Sequence, residues 1–134
     1  MSKLVVNLPL SGIDKLEIRV TNCKKSMAQV KQESGADYIL NGGMWNSDGS
    51  PCPILKAGGA LLSEVPWGAY GYGWNTGADI RLESNWRLLE NFIAVTCLIG
   101  PWGPVENPSY DAAQGGARGR SAIGIKGGSL CLYC

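Results

Sequence analysis

The sequence predicts an α+β domain: a mixed, mostly antiparallel β-sheet with one short N-terminal helix and long Gly/Pro-rich loops. Three observations carry this expectation. The 134 residues include 19 glycines and seven prolines, residues that punctuate regular structure and favour many turns between short elements. Apolar residues recur at period two, or in short continuous runs bounded by turn residues, which is the strand pattern. Only residues 24–34 carry helix formers at helical spacing ahead of a glycine stop. The length suits a single domain over 1–134 with its own core.

Leu4 to Leu8 is a short apolar run closed by Pro9 and reads as a first strand. Lys15 to Thr21 sets Leu16, Ile18 and Val20 against Lys15, Glu17, Arg19 and Thr21. That alternation predicts a half-buried strand with one wet face. Asn22 is a candidate helix cap, Lys24–Ser34 the helix, and Gly35 its stop. The helix is expected to cross over and deliver a strand at Asp37–Leu40. Residues 46–51 are a loop by composition. Ile54–Lys56 and Ala60–Leu62 flank Gly58-Gly59, a tight hairpin signal. From Val65 to Trp74 aromatic residues alternate with glycine, which fits a strand with one aromatic face or a loop packed by its rings. Asp79–Ser84 alternates again. Asn91–Ile99 is the most apolar run and predicts a central buried strand. Pro101–Gly116 is long and irregular. Arg120–Ile125 and Ser129–Cys134 flank Gly127-Gly128 as a final hairpin. The chain stops inside that hairpin, so it is expected to be incomplete at its C-terminus, with open sheet edges that a second chain or a further segment completes.

Composition excludes much chemistry. Histidine is absent, which removes Ser-His-Asp and Cys-His nucleophile systems, histidine zinc sites and a histidine general base. The formal net charge is +1, without the basic face that a nucleic-acid polymer binder carries. No apolar run reaches membrane-spanning length and the N-terminus lacks a secretion signal. Five cysteines, an odd number, argue against a closed disulfide framework. A cytoplasmic protein with reduced thiols is therefore expected. Cys131 and Cys134 have CxxC spacing, but zinc needs two more suitably spaced ligands, and the pair ends a strand rather than opening a helix. They are read as ordinary thiols, and neither metal nor cofactor is expected.

Two segments stand out as candidate site. In Asn41-Gly42-Gly43 the Asn side chain offers donors and an acceptor, and the glycines let backbone N–H groups approach a ligand. The same pattern fits an ordinary tight turn. In Ala117-Arg118-Gly119-Arg120-Ser121, two arginines on alternate positions share a face, and Arg binds phosphate or carboxylate bidentately; two solvated arginines fit as well. Trp45 could stack on a sugar or base. Asp48, close after the glycines, is the best-placed carboxylate. The hypothesis is that the two segments meet around a small anionic ligand.

Taken together, Asp37-Tyr38-Ile39-Leu40-Asn41-Gly42-Gly43-Met44-Trp45 with Gly49-Ser50-Pro51, and Arg120-Ser121-Ala122-Ile123-Gly124 with Gly128-Ser129-Leu130, resemble the phosphodiester glycosidase family. That family includes the enzyme that uncovers mannose 6-phosphate tags by removing N-acetylglucosamine, and the wording here looks most like bacterial and phage versions. The resemblance covers most of this chain but only the N-terminal part of the family's domain; the family's closing Asp-Gly-Gly-Ser segment has no counterpart here. It implies hydrolysis of a sugar-1-phosphodiester. Arg120 would neutralise the phosphodiester, Asn41 with Gly42 and Gly43 would hold phosphate or sugar hydroxyls, and Trp45 would pack on the sugar ring. Arg118, Ser121 and Asp48 would join the ligand site. The alternative is a non-catalytic module that holds a nucleotide or sugar phosphate.

Overall fold

Short strands joined by glycine turns produce the architecture. The computed structural model describes residues 4–42, 45–52, 54–64, 70–95, 99–100, 102–104 and 121–134. The fold is α+β, and every strand pairing among the described residues is antiparallel. Strand β1 (Val5–Pro9) leads to a helix α1 (Met27–Ser34), and then β2 (Leu55–Ala57) and β3 (Ala60–Ser63) form a hairpin. Next come β4 (Gly71–Trp74), β5 (Arg81–Glu83) and β6 (Asn91–Ala94). A small hairpin of β7 (Ile99–Gly100) and β8 (Gly103–Pro104) precedes the last pair, β9 (Ala122–Lys126) and β10 (Ser129–Tyr133).

The strands form two main sheets, one ordered β1-β10-β9 and one ordered β3-β2-β6-β4-β5. In the first, the period-two pattern sorts the side chains by face. Leu8, Leu130 and Ile125 lie in one cross-strand row, and Val6, Leu132 and Ile123 in the next. All of these but Val6 pack into a core with Tyr72 and Trp74 of β4, Ile80, Leu82 of β5 and Ile93 of β6. The outward rows, such as Val5, Tyr133 and Ala122, are exposed. The two sheets thus share one core, and the Tyr72 hydroxyl donates across it to the Ile123 carbonyl at 3.1 Å.

The expected central strand over Asn91–Ile99 is observed only in part: β6 covers Asn91–Ala94 and lies between β2 and β4, residues 96–98 lie outside the described residues, and Ile99, 70% exposed, belongs to β7. The other face of β6 puts Phe92 and Ala94 into a second cluster with Leu89, Ile54 and Trp86. Burial on both faces is why this run reads as continuously apolar. The aromatic–glycine stretch resolves as a strand over its described part, and all four residues of β4 are buried. Gly71 and Gly73 are required there, because a Cβ on Gly71 would stand 2.3 Å from the Ile93 carbonyl oxygen and one on Gly73 would stand 2.1 Å from Leu89.

Three expectations are corrected. Lys15–Thr21 is not a paired strand. Leu16 and Ile18 do point into the shared core, but the Leu16 carbonyl accepts from the indole Nε1 of Trp74 at 2.9 Å. Alternation therefore reports which way the side chains face, not whether the backbone joins a ladder. The helix starts at Ser26 rather than Asn22: the Ser26 hydroxyl accepts from the Gln29 N–H, and the Gln29 side chain accepts from the Ser26 N–H, a reciprocal capping box. Gly35, left-handed at φ 67°, ends it as expected. Asp37–Leu40 forms no strand, so the helix delivers a loop. Ile39 and Leu40 are half-buried.

Candidate functional site

The loop after α1 and the segment entering β9 come together. Ser121, half-buried, donates from its hydroxyl to the side-chain oxygen of exposed Asn41. These residues are 80 positions apart in sequence, so a non-local fold brings the two singled-out segments into contact. With Oδ1 turned toward Ser121, Asn41 keeps its amide nitrogen as a donor of two N–H groups.

Next in the chain, exposed Gly42 lies close over the central strand, where a Cβ would come 3.1 Å from Cδ1 of Ile93. Gly42, Trp45, Pro51 and Ile93 line one cavity of about 140 Å³ together with Arg19 and Thr21. Trp45 is 62% exposed and pairs with Pro51 through an isolated bridge. Between them a compact loop is closed by Asn46 N–H to the Ser50 carbonyl at 2.8 Å and Gly49 N–H to the Asn46 carbonyl at 2.9 Å.

Asp48 acts inside that loop. Its Oδ1 accepts from the Ser50 N–H at 2.9 Å and from the Ser50 hydroxyl at 2.5 Å. The Ser50 hydroxyl bond, followed by the Ser50 backbone bond, holds the carboxyl below its ordinary range. Asp48 is exposed and is not among the residues that line the cavity. A carboxyl held this way stays charged at neutral pH, which suits an electrostatic role better than that of a general acid.

Gly43, Arg118 and Arg120 lie outside the described residues. Sequence reasoning passed over Arg19 as a site residue, taking it as one charge on the wet face of a strand. Its Nε is bonded to Glu17, which also pairs with Lys15 at 2.7 Å. Glu17 is held below its ordinary range by the Lys15 bond first and the Arg19 bond second. Among the described residues that line the cavity, Arg19 is the cation. Its position opposite Leu16 and Ile18 in the alternation was legible, but its proximity to Gly42 was not.

A second cavity, of about 460 Å³, opens between residues 14–18 and Asn75, Thr76 and Asn91. Its asparagines and the backbone beside them already serve the fold. Asn91 accepts from Gly58 N–H at 3.0 Å, Asn75 accepts from Glu90 N–H at 2.9 Å, and Asp79 accepts from the N–H groups of Asn75 and Thr76 at 2.9 and 3.0 Å. The cavity at Gly42 is the better candidate.

Among the described residues no group of three or more Cys, Asp or Glu could hold a metal ion, and no helix is long and apolar enough to cross a membrane. Comparison with protein-family models, with curated proteins and with solved structures finds no match.

Proposed function

We propose that this chain acts on a small sugar-1-phosphodiester, hydrolysing the bond between the sugar and its phosphate in the cytoplasm. The observation that supports this reading is the hydrogen bond from Ser121 to Asn41. It joins the two segments whose residue types suit a phosphodiester-linked sugar. Arg120, the neighbour of Ser121 in sequence, supplies the charge that a phosphodiester anion calls for. Asn41 donates to phosphate or sugar hydroxyls, backbone at Gly42 and Gly43 approaches without a Cβ in the way, and exposed Trp45 offers a flat apolar face to the ring. Arg118 adds a second positive charge, whose removal has the milder effect. Glycoside hydrolysis runs on carboxylates, and Asp48, whose carboxyl Ser50 holds below its ordinary range, fits an electrostatic part.

One observation favours the non-catalytic alternative. Among the described residues, those that line the cavity at Gly42 include no Asp or Glu, so a nucleotide or sugar phosphate could be held there without turnover. The deciding experiment mixes the purified chain with UDP-N-acetylglucosamine at substoichiometric and excess ratios and follows free sugar by mass spectrometry. Hydrolysis predicts free sugar beyond one equivalent, with Arg120→Ala lowering kcat/KM by about 10²–10³-fold. Retention of intact ligand up to one equivalent establishes the binding module instead. Arg120→Ala behaving as the parent chain does would overturn the site assignment.

A further inference from the structure

We propose that Cys23 and Cys52 are a redox-active thiol pair that closes to a disulfide across the cavity beside Gly42, an assignment independent of what that cavity accepts. The first observation is backbone strain. Thr21–Lys24 is a turn closed by the Lys24 N–H to the Thr21 carbonyl at 3.0 Å, with Asn22 at φ 50° and Cys23 at φ 60°. Two left-handed central residues are the pattern of a type I′ turn, whose usual second residue is glycine. Here a cysteine stands in that place, although a Cβ is disfavoured in this conformation. An outlier of this kind points to a role for the side chain it carries.

The second observation is what the turn touches. Gly49, at φ 84°, packs so closely on it that a Cβ would stand 2.4 Å from the Asn22 carbonyl oxygen. The turn carrying Cys23 is therefore seated directly on the loop leading to Cys52. Cys23 and Cys52 both line the same cavity of about 140 Å³. Both are free, Cys23 exposed and Cys52 half-buried. By contrast, Cys131 faces outward in β10, where its thiol donates to the Asn7 side-chain oxygen at 2.8 Å. Its neighbour Cys134 lies three positions on, so a regular strand turns the two thiols to opposite faces.

The chemistry balances with a peroxide as oxidant. The Cys23 thiolate attacks one peroxide oxygen, the O–O bond breaks, and water leaves, giving a sulfenic acid. The Cys52 thiolate then attacks that sulfur, the S–O bond breaks, and a second water leaves. The two thiols lose two electrons and two protons, and hydrogen peroxide is reduced to two waters. Cys23 reacts first because it is the more exposed.

The test uses the full chain, reduced, freed of reductant, treated with hydrogen peroxide and quenched with N-ethylmaleimide. The expected result is an intact mass with three maleimide adducts where the untreated five-cysteine chain takes five, a non-reducing peptide map linking Cys23 to Cys52, and reversal by dithiothreitol. Cys52→Ser should leave Cys23 trappable as a sulfenic acid by dimedone, and Cys131→Ser should leave the link intact. A map that joins other cysteines, or peroxide that only over-oxidises Cys23 in the parent chain, overturns the proposal. Because the parent chain's map decides by itself, a variant that fails to fold does not rescue it.

Discussion

The contact between Asn41 and Ser121 can be measured without knowing any ligand. Asn41→Ala removes the acceptor and Ser121→Ala removes the donor of a bond that links distant parts of the chain. Typical protein hydrogen bonds contribute about 0.5–1.5 kcal/mol net. Here Asn41 is exposed and Ser121 half-buried, so water competes for both groups and the lower half of that range applies. Each single variant should lose about 0.5–1 kcal/mol, or about 2–4 °C in Tm for a chain of this size. The double variant should lose little more than either single one, because the bond can be removed only once. The coupling energy is then about 0.5–1 kcal/mol. Urea unfolding of the four proteins, compared at a common m-value, reads this directly. Asn41→Asp retains an acceptor oxygen and should keep the coupling with Ser121. Additive losses, to within about 0.3 kcal/mol, would mean that the side chains do not meet in solution, and the site as drawn would fail with them.

Other outcomes follow from the same structure. Gly71→Ala forces a Cβ to within 2.3 Å of the Ile93 carbonyl oxygen in the paired strand, where nothing can give without moving backbone, and should cost about 1–3 kcal/mol or more. Gly42→Ala meets only the terminal Cδ1 of the Ile93 side chain at 3.1 Å and should cost less than about 1 kcal/mol; equal thermal shifts for the two would contradict the packing. Tyr72→Phe removes the hydroxyl that bonds to the Ile123 carbonyl at 3.1 Å and should cost about 1 kcal/mol, read as a lower denaturation midpoint. For Asp79, burial raises the pKa, but the N–H groups of Thr76 and Asn75 and the Arg81 charge outweigh it and bring it below the ordinary 3.8. Glu83, held by the N–H groups of Asn85 and then Ser84, lies below its ordinary 4.5. Folded values lower than unfolded ones stabilise the protein above the unfolded pKa, and that stabilisation is lost as pH falls through the folded values. Stability should therefore hold from neutral pH to about pH 5 and fall below about pH 4, and Asp79→Asn should flatten that fall in an acid titration.

Local signals were legible wherever the chain's own chemistry decides the outcome. The Gly58-Gly59 and Gly127-Gly128 hairpins form at their glycines, which take φ values from 56° to 84°. Gly35 stops the helix. The first part of the Asn91 run is central, with Ile93 packed into one cluster and Phe92 and Ala94 into the other. What was not legible depends on distant partners. Lys15–Thr21 has the strand alternation, but its Leu16 carbonyl is taken by the Trp74 indole, a partner 58 residues away. Asn22 resembles a cap by type, yet Ser26 wins because Gln29 sits where it completes the reciprocal bond. Of the site, the meeting of the Asn41 and Ser121 segments was anticipated from residue type. The loop role of Asp48 was legible too, because its bonds to Ser50 are local; the cavity position of Arg19 was not, since it depends on how the 46–51 loop and the 18–23 segment lie against one another.

The same geometry explains how a site made of exposed loops can be held in place. Neither Asn41 nor Ser121 sits in a strand, and loop residues usually owe their positions to the scaffold beneath. Here the two leads have different anchors. Gly42 lies over Ile93 of the five-stranded sheet, while Ser121 runs straight into β9 of the three-stranded one. A slip between the sheets would pull the pair apart. That slip is opposed by the shared core, in which Ile93 packs with Ile123 and Leu130, and by the Tyr72 bond to Ile123, two residues beyond Ser121. Ile93 therefore belongs to both structures at once: its side chain is part of the inter-sheet core, supports Gly42 and lines the cavity. The polar side chains of Asn41 and Ser121 keep their spacing although they lie in loops, because apolar packing beneath them fixes the two sheets against one another.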